Sequence, residues 1–98
     1  MVIRIVNMYF KPEKADDFLV LFNQYKKLIR ATKGCTHLEL LNNKNDIASF
    51  STYSLWENIG DLEEYRSSDL FNEVWVQTKK CFSKRPEAFS YEKYMVVH

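Results

Sequence analysis

The prediction of the fold rests first on the stretch VIRIVNMYF, residues Val2–Phe10. It is rich in β-branched and aromatic residues and runs into Lys11-Pro12, where proline cannot donate to a sheet ladder, so we expect a β-strand that ends there. Successive side chains of a strand point to opposite faces of its sheet. Large apolar side chains occupy both sets of alternate positions, which indicates that both faces of the sheet are covered.

The next part of the chain has the pattern of an amphipathic helix. Apolar residues recur at helical spacing from Phe18 to Ile29, with acidic residues in the first turns and basic residues near the end, as the backbone dipole favours. Gly34 follows, and we expect it to close this helix as a left-handed C-cap.

Two β patterns come next, Thr36–Leu41 and Ile47–Trp56, and the polar residues 42–46 between them predict a hairpin turn. Asn58 can cap a short helix that follows the hairpin. Either Ser67 or Ser68 can cap a further helix, whose apolar stripe ends before residues 85–86.

A last strand is predicted from about Phe89 to Val97. The element order is therefore β-α-β-β-α-α-β. This order predicts an α+β, ferredoxin-like fold, in which a four-stranded antiparallel sheet carries its helices on one face. No linker, repeat or low-complexity segment divides the chain, so we expect residues 1–98 to form a single domain.

Composition excludes several classes of protein. The 98 residues are 46% apolar and 28% charged, as in a globular domain, and the formal net charge of +1 does not favour a nucleic-acid partner. Cys35 and Cys81 lie in no CxxC or Cys/His spacing, so we expect neither a disulfide framework nor a metal site. No stretch resembles a signal peptide or a membrane span, so we expect a cytoplasmic protein with no membrane partner.

The helices of this topology can cover only one face of the sheet. A second copy of the chain is the simplest cover for the other face, because two-fold symmetric dimers are the commonest soluble assemblies. We therefore expect a homodimer that forms through the sheet face. The alternative is a monomer that exposes scattered apolar side chains, which is normal for a protein surface.

Several segments resemble the antibiotic biosynthesis monooxygenase family, and the resemblance runs through essentially the whole chain. They are Arg4-Ile5-Val6 with Phe10-Lys11-Pro12-Glu13, Gly34-Cys35, FSTYSLWE over Phe50–Glu57 leading into Asp61-Leu62, Tyr65-Arg66-Ser67, and Leu70-Phe71. The Trp56-Glu57 pair at the end of the third strand is the most recognisable piece. The resemblance implies a dimeric α+β barrel built from two ferredoxin-like sheets, which agrees with strands that are apolar on both faces.

The resemblance also implies a chemistry. Some relatives oxidise electron-rich polycyclic phenols, quinols or anthrone-like compounds with O₂, without metal or flavin, in a site between sheet and helices. We therefore expect a monooxygenase that needs no cofactor and acts on a small aromatic substrate. The alternative is a dimeric binding module that holds a small apolar or aromatic metabolite without turnover.

Haem degradation is a third function found among relatives, which use an Asn, a Trp and a His for it. By resemblance, Asn7 and Trp56 correspond to the first two, whereas Trp75 stands at the position of the haem-ligating His. Histidines that other members carry after the Trp-Glu pair fall at Tyr65 and Leu70. These departures argue against haem ligation and against proton transfer by a histidine.

Trp56 is the first candidate site residue, because a large ring with one polar edge can form the wall of a pocket for an aromatic substrate. Thr52 and Ser54 share its face of the strand by alternation and would supply orienting hydroxyls. Tyr65 and Trp75 would complete an aromatic lining. Packing in the hydrophobic core is the alternative role for these rings.

Two further candidates are polar residues in predicted strands. Asn7 is an amide in an apolar strand, and burying it without a partner would cost about 1–3 kcal/mol, so we expect it to face a cavity and bind a substrate oxygen or O₂. The alternative is that it bonds a neighbour across the sheet or faces solvent. His37 shares a strand face with Glu39, so its imidazole could act as a general base held by the carboxylate, or the two could form an ordinary surface pair.

Overall fold

The structure is a computed structural model that describes all of residues 1–98. The elements in chain order are β1 (Val2–Tyr9), a 3-10 turn (Pro12–Lys14), α1 (Ala15–Arg30), β2 (Cys35–Asn43), β3 (Asp46–Trp56), α2 (Ile59–Arg66), α3 (Asp69–Lys79) and β4 (Glu87–Glu92). The predicted element order is confirmed. No helix is long and apolar enough to cross a membrane.

The four strands form one antiparallel sheet in the order β2-β3-β1-β4. The first strand therefore lies inside the sheet, with Val2 opposite Trp56 of β3 on one side and Glu92 of β4 on the other. The α+β, ferredoxin-like fold class is confirmed.

One face of the sheet, which we call the inner face, packs against the helices. It carries Val2 and Met8 of β1 and Phe10 directly after the strand, all of which are buried. The ring of Phe10 stacks on Phe18 of α1 with 4.2 Å between the ring centroids, and this contact lies in a cluster with Met8 and Phe50. Burial of this apolar surface is the main stabilising contribution that the helices bring to the sheet.

The opposite face, which we call the outer face, is covered by no element of the chain. Its apolar side chains come from β1, β3 and β4 and are Ile3, Ile5, Tyr53, Leu55, Phe89 and Tyr91. The β1 and β3 members are half-buried, while Phe89 and Tyr91 are 43% and 50% exposed. The prediction that both faces of the sheet are apolar is thus confirmed.

The two predicted helix caps form as expected. The Asn58 side chain accepts a hydrogen bond from the backbone N–H of Asp61 at 2.8 Å, which satisfies a donor of the first turn of α2. Ser68, rather than Ser67, caps α3 by accepting from the backbone N–H of Phe71 at 3.1 Å.

Gly34 has the left-handed backbone that was predicted, but it does not cap the first helix. The first helix ends at Arg30 with Ala31 as its C-cap, and Gly34 comes later, in the turn into β2, with a φ of 84°. A Cβ atom at this position would lie 2.3 Å from the Asp61 carboxylate. Glycine is therefore required both by the left-handed backbone and by the approach of α2.

The last strand was predicted at Phe89–Val97, but β4 covers Glu87–Glu92. It ends there because Glu92 lies opposite Val2, the first residue of β1, so residues farther along have no neighbouring strand to pair with. Residues 93–98 form no regular secondary structure, and Tyr94 within them is 98% exposed.

Candidate functional site

A cavity of about 250 Å³ lies between the inner face of the sheet and the helices. The strand side is formed by alternate residues of β1 and β3, including Thr52, Ser54 and Trp56. The helix side is mostly aromatic, with Tyr65 of α2 and Trp75 of α3. The structure therefore brings together five of the seven predicted site residues in one space.

Trp56 forms a fixed wall of this cavity. Its side chain is only 1% exposed, and its indole N–H donates to the Ser54 hydroxyl at 3.0 Å. The ring of Tyr65 stacks on it at 5.1 Å between centroids. Since the indole N–H is already bonded and the ring is almost fully covered, Trp56 shapes the wall of the cavity and offers a ligand no hydrogen bond.

The hydrogen bond from Trp56 leaves the hydroxyl proton of Ser54 available to a ligand. A hydroxyl has one donor and two acceptor positions, and the Ser54 oxygen uses an acceptor position for Trp56. Its own proton is donated to no other protein group, and the side chain lines the cavity. Ser54 is thus positioned to donate to an oxygen atom of a bound molecule.

The helix side of the cavity continues as a series of touching rings. Tyr65 meets Phe71 edge to face at 5.3 Å, Phe71 stacks on Trp75 at 5.6 Å, and Trp75 meets Phe82 edge to face at 5.6 Å. Ring pairs at these separations attract each other beyond simple burial. An aromatic molecule in the cavity would therefore find ring faces and edges to pack against.

Tyr65 adds a hydroxyl that stays protonated. Burial raises the pKa of the Tyr65 phenol to about 12, with a smaller contribution from the nearby Cys35 thiol. The phenol makes no hydrogen bond to another protein group. At neutral pH it is therefore a hydrogen-bond donor and not a base.

Asn7 and His37, the two remaining predicted site residues, lie on the outer face. The amide oxygen of Asn7 accepts from the Ser51 hydroxyl at 2.7 Å, across the β1–β3 pair. The imidazole of His37 lies 3.4 Å from the Glu39 carboxylate. The sheet separates both side chains from the cavity. Asn7 bonds a neighbour across the sheet and His37 pairs with Glu39, which are the alternatives predicted for them from the sequence.

Arg4 and Arg66 line the cavity and were not among the predicted site residues. Arg4 lies on the inner face of β1, opposite Ser54 of β3 and Ser90 of β4, and its guanidinium donates to the Ser90 hydroxyl at 3.0 Å. The alternation that places Val2 and Val6 on this face also places Arg4 there. The signal was therefore present in the sequence as a cation within an apolar set.

The lining contains no histidine, aspartate or glutamate. Its ionisable groups are the two arginines and Tyr65, and none of them accepts a proton near neutral pH. The side chains can therefore bind, orient and donate hydrogen bonds, while a proton lost by a ligand must pass to solvent water.

Haem does not fit this set of residues. The cavity offers no imidazole, and at the position of the haem-ligating histidine of relatives Trp75 is packed against Phe71 and Phe82. No three His, Cys, Asp or Glu side chains come together in a way that could hold a metal ion.

Comparisons with known proteins agree on the fold. Residues 1–75 match the family model described as antibiotic biosynthesis monooxygenase. No curated protein sequence matches the chain.

Solved structures superpose over almost the whole chain. A conserved protein from Methanosarcina mazei Go1 has a TM-score of 0.88 at 24% identity, covering 95% of this chain and 93% of its own. An antibiotic biosynthesis monooxygenase has a TM-score of 0.90 at 17% identity, covering 97% and 100%. Rv0793 from Mycobacterium tuberculosis has a TM-score of 0.88 at 14% identity, covering 99% and 98%. At these identities the likeness shows the fold alone.

Proposed function

This chain belongs to the antibiotic biosynthesis monooxygenase family, and from that premise we propose that it oxidises a small quinol- or anthrone-like substrate with O₂ and without a metal or flavin cofactor. The observation that carries the proposal is the aromatic cavity of about 250 Å³ between sheet and helices. Trp56 closes it with a ring face, and the Ser54 and Tyr65 hydroxyls provide donors. A flat phenolic compound matches both features.

The oxidation balances without an external reductant. In an anthrone-like substrate, a methylene carbon loses two hydrogens and gains a double-bonded oxygen. One atom of O₂ becomes that carbonyl oxygen, and the other leaves as water with the two hydrogens, so the substrate supplies all four electrons. In a quinol, loss of two electrons and two protons gives the quinone and reduces O₂ to hydrogen peroxide.

The protein's part in this reaction is to favour the substrate anion that reacts with O₂. Donors aimed at a developing oxyanion in a site shielded from water stabilise it more than water does. Ser54 and Tyr65 are placed for this role. Because no side chain of the lining takes up the proton, we expect the rate to rise with pH up to the pKa of the substrate itself.

The test is O₂ uptake with a panel of quinols and anthrones, comparing Ser54→Ala with Ser51→Ala. The two substitutions remove the same hydroxyl from the same strand, but Ser51 lies on the outer face, bonded to Asn7. Loss of one oxyanion donor lowers kcat on the order of 10²-fold, and we expect this for Ser54→Ala only. Equal rates for the two variants, or no uptake on any panel member, would reject the oxygenase.

A binding module without turnover is the second candidate, and the lack of a base in the lining favours it. In that case an aromatic ligand would raise the melting temperature of the protein. The same ligand would be recovered unchanged after incubation in air, whereas the oxygenase would convert it.

We also propose that a second copy of the chain covers the outer face. The support is the continuous apolar surface that runs across three strands there, from Leu55 and Ile3 to Tyr91. Apolar patches of this kind on a small protein mark interaction sites. A face formed by one sheet can meet its own copy about a two-fold axis.

A further inference from the structure

We propose that the ligand of the cavity carries a carboxylate and that Arg4 binds this group. The inference deepens the proposed function by naming the substrate class: an aromatic compound that carries a carboxylate. It applies equally to an oxygenase substrate and to a ligand that is held without turnover, so its test below measures binding and not oxidation.

The position of Arg4 is the first support. The other inner-face side chains of β1, at Val2, Val6 and Met8, are apolar, and Arg4 stands among them near the middle of the strand. Its guanidinium is half-buried, and this burial lowers the pKa of Arg4 from its ordinary value. Burial disfavours the charged form of the Arg4 guanidinium, and a bound anion would stabilise that charged form.

The second support is that no carboxylate of the chain pairs with Arg4. The guanidinium has five N–H donors, and its one side-chain partner is the neutral Ser90 hydroxyl. Glu63 is the carboxylate that raises the pKa of Arg4, but it pairs with Arg66, with 3.2 Å between Arg66 Nη1 and Glu63 Oε1. Most of the donors of Arg4 are thus unused.

The third support is the charge of the cavity as a whole. The lining includes two cations, Arg4 and Arg66, and no anion. After burial, the charge of Arg66 is the next cause that lowers the pKa of Arg4, and Glu63, which pairs with Arg66, raises it less. A guanidinium recognises a carboxylate through two parallel hydrogen bonds, which fixes direction as well as charge.

Size and neighbours define the rest of the ligand. The cavity of about 250 Å³ is just below the roughly 300–1,000 Å³ that drug-sized ligands occupy, which suits a small aromatic ring system. Ser54 lies directly opposite Arg4 and is bonded to Trp56. A carboxylate on Arg4 would therefore place the attached ring beside Ser54 and the Trp56 wall.

The experiment measures the affinities of naphthalene-2-carboxylate and naphthalene-2-carboxamide by calorimetry or by quenching of tryptophan fluorescence. The two probes have nearly the same shape and differ in charge, and neither is a quinol or an anthrone. We expect wild-type protein to bind the carboxylate at least tenfold more tightly. Equal affinities would overturn the proposal without any variant being made.

The variants then identify the residue. We expect Arg4→Gln to abolish the preference while the carboxamide affinity stays within about twofold, and Arg4→Lys to keep part of it. Arg85→Gln is the matched control, since Arg85 is exposed and lies outside the cavity. Full preference in a folded Arg4→Gln protein, checked by circular dichroism, would also overturn the proposal.

The outcome separates this inference from the proposed function. If the protein takes up oxygen with neutral quinols but binds the carboxylate and the carboxamide equally, the inference is wrong and the proposed oxygenase function is retained. A carboxylate preference that Arg4→Gln removes, with no oxygen uptake on the panel, would support the inference and favour the binding module.

Discussion

The two faces of the sheet differ in how their polar side chains are used. On the outer face the polar groups bond one another: Asn7 with Ser51, His37 with Glu39, and Tyr9 with Glu87. On the inner face Ser54 and Arg4 line the cavity and keep donors without a protein partner. Since buried polar groups normally find partners within the protein, donors without a protein partner beside a cavity support the proposal that a ligand binds there.

The apolar side chains show the opposite contrast. Those of the inner face have their cover within the chain, as Trp56 does between Ser54 and Tyr65. Those of the outer face have no such cover, and Phe89 and Tyr91, whose ring centroids lie 6.2 Å apart, stay 43% and 50% exposed. The inner face thus has apolar side chains covered by the helices and hydrogen-bond donors without protein partners, and the outer face has paired polar groups and uncovered apolar side chains.

The largest expected effect comes from removing a ring on the inner face. Trp56→Ala should lower the free energy of unfolding by about 3–5 kcal/mol, because a buried tryptophan leaves both lost contacts and a cavity. Tyr91→Ala, on the half-exposed outer face, should cost less than about 1.5 kcal/mol in dilute protein. Urea denaturation followed by circular dichroism measures both. Similar losses of stability in the two variants would contradict the difference in packing between the two faces.

The second prediction breaks the outer face. Ile5→Lys places a charge in the middle of the proposed dimer surface, twice in a two-fold assembly, and should weaken the dimer at least about 100-fold. Light scattering coupled to size-exclusion chromatography should show the mass of one chain for the variant and of two for the wild type. Val76→Lys is the control, since Val76 is an exposed apolar residue of α3. A wild-type protein that runs as a monomer contradicts the dimer.

The third prediction concerns the buried phenol of the inner face. Because the pKa of Tyr65 is raised to about 12 in the folded protein, the folded state holds this proton more tightly than the unfolded state, whose tyrosine titrates near 10. The free energy of unfolding should therefore fall as pH rises from about 10 to 12, by up to about 2 kcal/mol. Tyr65→Phe should lose this part of the pH dependence. An unchanged pH profile in the variant would show that the phenol is not buried as described.

The smallest effect is expected for Asn7, on the outer face. Asn7→Ala removes its bond with Ser51 and should cost about 1 kcal/mol of stability, while oxygen uptake and ligand affinity stay within about twofold of wild type. Steady-state kinetics and calorimetry check this. A tenfold loss of turnover would mean that the outer face takes part in the chemistry.

Much of the candidate site was predictable from sequence, because alternation along a strand is a local rule. Thr52, Ser54 and Trp56 were placed on one face by counting in twos, and the structure has them on one face. The same rule places Arg4 with Val2 and Val6. What made Arg4 informative was the absence of a carboxylate partner, and that depends on residues far away in the sequence.

The parts that were misplaced depend on distant contacts. The end of β4 follows from where β1 begins, since Glu92 is paired with Val2. The need for glycine at Gly34 comes partly from Asp61 of α2, which packs against it. The residues near Glu92 and near Gly34 in the sequence therefore carry no pattern that would predict either feature.

The sequence by itself determined the element order, the cap at Asn58 and the apolar character of both sheet faces, and it limited the cap of α3 to Ser67 or Ser68. These follow from interactions within a turn or a strand, which nearby residues fix. Only the tertiary structure decided which face holds the cavity, that Asn7 and His37 lie away from it, and that Arg4 lacks a partner carboxylate. Such features depend on strand register and helix packing, where residues far apart in the chain meet and each polar group finds its partner or does not.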